Sequence, residues 1–387
     1  MINKSHVIFL SSGGFPFKIS AASQKYKLMA KALLAVNYRV TLLTKLNTYA
    51  DLVSHEGEVE GINYSLLSGT RKRKGIIDKL VGQIKGYFFE FAFIVKAKRD
   101  VYNNFLILSY CFFPLLFYYY LLSKLTGIKI IISIMEYHPS IAKGFFSKIN
   151  AYLFDHYSSF FANGILPISN YLKQVVNSSN KGVPNLIVPV LADFNEFNQI
   201  QISSSNNLNY FLFCGSIGYK DTIQFVTDAF SLLNCNDAEL ILVLSGKKNE
   251  IEELKQSLQK NTRIKILSNI SYTKLYSLYS NALGLLIPMR PNIQDKARFP
   301  QKIAEYLASG RPVITNNYGE ISYYFKDGFN SLVVAEYDIN QYAAKMEWVL
   351  RNRITSKEVG LRGKEFGRKN FHYRNYSNKL EKFFRGL

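Results

Sequence analysis

The sequence predicts an α/β protein built of two doubly wound domains, and three observations carry that prediction. The chain's 387 residues exceed one typical core, whereas two domains of somewhat under about 200 residues each fall in the usual range. Near the start, an apolar run from His6 to Leu10 leads into Ser11-Ser12-Gly13-Gly14-Phe15-Pro16. Ala21 to Val36 follows with Ala22, Met29, Ala30, Leu33 and Leu34 at helical spacing, and then a second apolar run, Val40 to Leu43. The same strand, glycine loop and helix begin again at Tyr210 to Cys214 with Gly215-Ser216-Ile217-Gly218-Tyr219-Lys220-Asp221. A content of 48% hydrophobic and 20% charged residues, without repeats or low-complexity tracts, is that of a chain that folds throughout.

In a doubly wound domain ligands bind at the carboxyl ends of the strands, so Gly13, Gly14 and Phe15 are candidates to line a site, with an ordinary tight turn as the other reading. A basic and aromatic region follows: Thr70 to Gly75 reads TRKRKG, then come Lys79, Lys85 and a helical stretch from Tyr87 to Arg99. Positive charge beside aromatic rings suits the headgroup layer of an anionic membrane, and a solvated loop before a core helix fits equally. Phe105 to Leu122 is eighteen residues without a charge, long enough for a membrane span. Pro114 interrupts it, and a buried unit is the preferred reading: strand Phe105 to Leu108, a helix entered near Pro114 and closed at Gly127, and strand Lys129 to Ile134. Met135-Glu136-Tyr137-His138-Pro139 is a polar knot at that strand's carboxyl end, so Glu136 and His138 can either face a ligand or be structural. Ser169 is placed to cap a helix, and the polar tract Ser203 to Asn209 reads as a linker.

In the second domain the small residues Gly215 and Ser216 allow close approach of a diphosphate, and Lys220 can neutralise it. The strands Glu239 to Leu244 and Ile264 to Leu267 follow, the latter ending in Ser268-Asn269-Ile270, then helix Tyr272 to Ala282 and strand Leu283 to Ile287. The stretch Phe299 to Ile314, FPQKIAEYLASGRPVI, organises the rest. Pro300 suits a first helical turn, Ile303, Tyr306 and Leu307 recur at helical spacing, Gly310 ends the helix and Pro312 to Ile314 opens a buried strand. The free amides near Gln301 and Lys302 suit phosphate, and Glu305, about one turn in, can accept from both hydroxyls of a ribose. An ordinary solvated pair between Lys302 and Glu305 is the alternative.

Residues 300–313, in the form P-x-K-x-x-E-Y-L-A-x-G-x-P-V, resemble the donor-binding motif of retaining GT-B glycosyltransferases of the group 1, or family 4, type, which include bacterial capsule and O-antigen transferases. The resemblance implies a GT-B fold, two Rossmann-like doubly wound domains facing across a cleft. Residues 1–200 would form the acceptor-binding domain, joined by a C-terminal helix at 371–387, and residues 201–370 the nucleotide-sugar domain. It assigns Glu305 to the donor ribose, Gln301 and Lys302 to the diphosphate, and Asn269 and Ile270 to the nucleobase. Gly215, Ser216, Arg298, Phe299 and Pro300 join the donor site. Glu136 and His138, with Lys220 and Lys302, become the catalytic candidates, and Gly13, Gly14 and Phe15 an acceptor or cleft loop. Three departures stand out: Ala297 replaces a glutamate eight residues before Glu305, leaving Asp295 as a substitute; Ser216 replaces an arginine whose charge Arg290 or Arg298 could supply; and Ala21-Ala22-Ser23 replaces a glycine pair.

The expected activity is a metal-independent hexosyl transfer from a UDP- or GDP-sugar to a lipid-linked or growing polysaccharide acceptor, with the retention that the resemblance implies and no cofactor. The alternatives are a GT-B UDP-sugar epimerase and a basic membrane- or polyanion-binding protein with a degenerate site. A formal net charge of +20 requires an anionic partner, and without zinc-finger spacing or an RNA-binding aromatic motif, a membrane surface is preferred to nucleic acid. Cys111, Cys214 and Cys235 lie far apart, which predicts buried thiols in a reducing compartment and no structural zinc. Met1-Ile2-Asn3-Lys4 leads into too short an apolar run for a signal peptide, so the expected location is the cytoplasm, at the inner face of the plasma membrane.

Overall fold

A computed structural model describes residues 5–10, 15, 21–48, 54–99, 103–198, 209–234, 237–259 and 261–387. The chain divides into two compact units, Met1–Leu191 with Tyr373–Leu387, and Ala192–His372. Gly13 and Gly14, most of the linker tract and Cys235 lie outside the described residues.

The first unit runs β1 (His6–Leu10), α1 (Ala21–Leu34), β2 (Arg39–Thr44), β3 (Glu56–Val59), β4 (Ile62–Leu66), α2 (Ile76–Lys98), β5 (Asn104–Leu108), α3 (Leu115–Thr126), β6 (Lys129–Ile134), α4 (Phe145–Tyr157), β7 (Gly164–Pro167) and α5 (Asn170–Ser179). Its sheet has the order β3-β4-β2-β1-β5-β6-β7, parallel except for the β3–β4 hairpin at one edge. Every residue of β1 and β5 is buried, as expected of central parallel strands covered on both faces. The uncharged stretch 105–122 is a strand, a loop and the start of α3, which enters at Pro114 and ends on Gly127 with φ 75°. Among the described residues no helix is long and apolar enough to cross a membrane. Ser169 caps α5, accepting from the Leu172 amide at 3.1 Å.

The second unit runs α6 (Phe194–Asn198), β8 (Tyr210–Ser216), α7 (Lys220–Ser231), β9 (Glu239–Ser245), α8 (Lys248–Ser257), β10 (Ile264–Leu267), α9 (Tyr272–Asn281), β11 (Gly284–Leu286), α10 (Ile293–Ala297), α11 (Lys302–Ser309), β12 (Val313–Asn316), α12 (Ile321–Tyr324), β13 (Leu332–Val334), α13 (Ile339–Arg351) and α14 (Arg353–Phe371). The parallel sheet has the order β10-β9-β8-β11-β12-β13. Gly310 ends α11 in the left-handed conformation, φ 77°, which glycine adopts without steric cost. The chain then returns through α15 (Ser377–Arg385) to the first unit, where Phe384 stacks on Phe105 at 4.9 Å.

Candidate functional site

In each unit the direction of winding reverses once, between β1 and β5 and between β8 and β11, and such a switch point opens a crevice at the carboxyl ends of the strands. Both crevices hold candidate residues.

In the second unit the crevice is bounded by Gly215 and Ser216 at the end of β8, the first turn of α7, and the segment from Met289 into α11. The Cys214 amide donates to the Tyr306 hydroxyl at 3.0 Å, which ties the end of β8 to α11. Lys302 Nζ lies 3.1 Å from Glu305 Oε2. The Glu305 side chain is 2% exposed and that of Lys302 26%, so the pair is not the solvated one that an amphipathic helix would carry. Burial opposes the Lys302 ammonium, but Glu305, Cys214 and Tyr272 together outweigh it and hold the lysine above its ordinary pKa. Burial, then the Glu305 carboxylate, push Tyr272 up to about 12. Lys220 is exposed on the first turn of α7. The Ser216 hydroxyl accepts from the Gly218 amide at 3.2 Å and so shapes the glycine loop.

Arg290 and Arg298 converge on Asp295. Arg290 reaches its carboxylate through the backbone amide at 2.7 Å, Nε at 3.1 Å and a terminal nitrogen at 2.9 Å, and Arg298 Nη2 lies 2.9 Å from the same group. Both guanidiniums sit over the Tyr219 ring, and Arg298 also donates to its hydroxyl at 2.6 Å. Two cations on one fully buried anion leave a net positive charge beside the glycine loop. Asp295 is thus consumed as their anchor, and it does not take the place of the glutamate missing at Ala297. Phe299 is a core residue, its ring parallel to Tyr324 at 5.3 Å. Pro300 and Gln301 form the turn into α11. Asn269, between β10 and α9, has a left-handed backbone with φ 54°, the kind of constrained position found at ligand sites, and Ile270 follows it half-buried.

In the first unit, His138 follows β6 in a short 3₁₀ turn. Its Nδ1 is 2.6 Å from Asp155 Oδ1, and its backbone amide donates to Asp155 Oδ2 at 2.7 Å. A carboxylate only accepts, so Nδ1 carries a proton, and in the neutral ring Nε2 is the acceptor. Tyr110 stacks on the imidazole at 4.0 Å. Glu136 is half-buried two residues earlier. Phe15 packs into the core of the unit, so its side chain does not line a loop surface. Sequence reasoning missed Asp155, seventeen residues from His138 on α4; its one signal was that it is the lone carboxylate of a helix rich in aromatic residues.

A cavity of about 480 Å³ opens at the β1–β5 switch point, lined by Leu10, Lys45, Tyr87, Leu108, Tyr110 and Tyr119 among others. Lys45 Nζ lies 3.3 Å from the fully buried Glu90 and donates to the Tyr119 hydroxyl at 2.7 Å. Burial raises Glu90, with Lys45 opposing. Cys111, also on the wall, is half-buried and is pushed up to about 12 by burial, so its thiol stays protonated and is no nucleophile. Cys214 is likewise half-buried and free. Among the described residues no three His, Cys, Asp or Glu side chains gather as metal ligands would.

Comparison with known proteins agrees with this architecture. Sucrose-phosphate synthase from Thermosynechococcus elongatus superposes with a TM-score of 0.79 at 15% identity, over 99% of each chain. HepE of Anabaena in complex with UDP-glucose superposes at 0.69 and 11% identity, over 99% of this chain and 100% of that one. The chain therefore has the GT-B fold, two parallel-sheet Rossmann-like domains. Residues 195–366 match the family described as Glycosyl transferases group 1, so the second unit carries a domain of that family. An uncharacterized glycosyltransferase of Methanocaldococcus jannaschii is 23% identical over 238 residues, which span 61% of this chain and 63% of that protein's length.

Proposed function

We propose that this protein transfers a hexosyl group, with retention and without a metal, from a UDP- or GDP-sugar to a lipid-linked or growing saccharide acceptor in bacterial surface-polysaccharide synthesis. The observation that carries the reading is the Lys302–Glu305 pair at the start of α11, beside the glycine loop of β8, inside the group 1 domain. Glu305 accepts from the ribose hydroxyls, and the amides entering α11 meet the diphosphate. Lys302, Lys220 and the Arg298 cluster offset the charge that grows on the departing diphosphate, where electrostatic stabilisation contributes most. Asn269 and Ile270 lie along the nucleobase. His138, fixed by Asp155, presents Nε2 to a sugar hydroxyl. The basic first unit holds the enzyme against the anionic inner face of the membrane.

A second reading, a binding protein with a degenerate site, is favoured by the buried Ala297 and by Ser216. Thermal unfolding with UDP and GDP separates the two, since a ligand that binds only the folded state raises its melting temperature. A shift with one nucleotide, and release of nucleoside diphosphate from a panel of nucleotide-sugars, is expected. No shift with any nucleotide would overturn the transferase reading. Interconversion of a UDP-sugar without release would show an epimerase.

A further inference from the structure

Helix α2 is inverted with respect to an ordinary surface helix. It buries Gly82, Gly86, Glu90, Ile94 and Ala97, and turns Ile76 (87% exposed), Leu80, Ile84, Phe88 (68%) and Phe91 outward. Its inward face admits little else: a Cβ on Gly86 would lie 2.6 Å from the Lys45 carbonyl oxygen. The large side chains therefore have no place in the core.

The connections β4 to β5, β5 to β6 and β6 to β7 all step the same way along the sheet, so right-handed crossovers put α2, α3 and α4 in one layer. Tyr87 of α2 meets Tyr118 of α3, and Tyr120 of α3 meets Phe161 just after α4. The other two helices also expose large apolar groups: Phe117, Leu121 and Leu125 on α3, Phe145, Phe146 (84%) and Ile149 on α4. Of the twenty-six large apolar side chains exposed among the described residues, twenty lie between Ile76 and Phe160, and a patch so concentrated marks an interaction surface.

Charge selects the partner. From Arg71 to Phe160 there are thirteen lysines and arginines against five acidic residues. Of the five, Glu90 and Asp155 are buried, Glu136 is half-buried, Asp78 is held by Arg71 and Arg73, and Asp100 lies outside the described residues. A second copy of this face would set like charges together. An anionic bilayer accepts both the apolar groups and the lysines that edge them.

We propose that α2, α3 and α4 form a monotopic insertion face, whose outward apolar side chains enter the acyl boundary of an anionic bilayer while Lys79, Lys85, Lys124 and Lys148 reach the headgroups. The proposal rests on the membrane part of the function proposed above and changes its principal force from charge to burial. Arg73 is tied to Asp78 and to the Ser68 carbonyl, so the Arg71 to Lys74 run is partly spent inside the protein.

Co-sedimentation of the full chain with phosphatidylglycerol-containing and pure phosphatidylcholine vesicles, at about 0.1 M and about 1 M NaCl, tests it, because at the higher salt the Debye length is only about 3 Å. Binding to the anionic vesicles is expected to survive high salt. The double variants Phe145→Ser/Phe146→Ser and Ile77→Ser/Leu80→Ser each weaken it by more than about tenfold, with unchanged circular dichroism because these residues are exposed. A Phe146→Trp reporter, read against Trp348 of the second unit, is quenched by acyl-brominated lipid. Binding that vanishes at high salt and ignores the serine variants overturns insertion but leaves the membrane reading standing. Absence of binding to every vesicle overturns both, and a concentration-dependent dimer that the serine variants abolish would then assign the face to a second copy.

Discussion

Replacing Glu305 by Gln tests the candidate donor site with one atom changed. The carboxylate is nearly inaccessible and its partner is the Lys302 ammonium at 3.1 Å, with a quarter of the lysine side chain still exposed. Breaking a fully buried ion pair costs about 3–5 kcal/mol, and partial exposure of Lys302 reduces this to about 2–3 kcal/mol. For a unit of this size the loss corresponds to about 5–10 °C in melting temperature. Trp348, the chain's one tryptophan, stands on α13 of the second unit, so its fluorescence follows the affected unit without the first. If Glu305 also binds ribose, each charge-assisted hydrogen bond lost removes about 1.5–3 kcal/mol from nucleotide binding, roughly a 10- to 150-fold rise in Kd by calorimetry. Loss of stability with unchanged nucleotide affinity would refute the ribose role and leave a structural pair. No change in either would refute the burial argument itself.

Lys220→Ala, on an exposed residue, is expected to lower kcat by about tenfold or more with little effect on nucleotide Kd, since leaving-group charge develops in the transition state; an effect on KM alone would make Lys220 a ground-state contact. Asp155→Asn is expected to release the His138 tautomer, seen as a change in the imidazole ¹⁵N shifts together with a lower kcat; unchanged shifts would refute the orienting role. Lys25 is buried on α1, donates to the Val188 carbonyl at 2.9 Å, and burial pushes it down to about 7. The unfolded chain therefore binds the extra proton between about pH 7 and 10.5, and stability rises with pH across that window by up to about 5 kcal/mol. Lys25→Met should flatten the rise and unfold at higher urea at pH 6 than the parent does; equal pH slopes in urea titrations of the two proteins would rule this out.

Much of the architecture is legible because its signals are local. Pro300 and Gly310 bracket α11, Ser169 caps α5, Pro114 and Gly127 bound α3, and each acts through backbone groups within one helical turn of itself. Periodic apolar runs likewise reveal the parallel strands, because a strand buried on both faces must be apolar throughout. The β3–β4 hairpin was not read, since Glu56–Val59 is polar and half exposed at the sheet edge and carries no apolar alternation. The rest of the site depends on residues distant in sequence that only the winding of the sheets brings together. Asp155 reaches His138 from the next helix, and Tyr219 meets Arg298 across seventy-nine positions. A sequence shows that Asp295, Arg290 and Arg298 are charged, but only packing decides that the two arginines spend themselves on the aspartate, because desolvation forces a buried carboxylate to find its partners inside. In the same way, composition shows that α2 is rich in aromatic residues, whereas which side of it faces water is decided by the room beside Lys45, where only glycine fits.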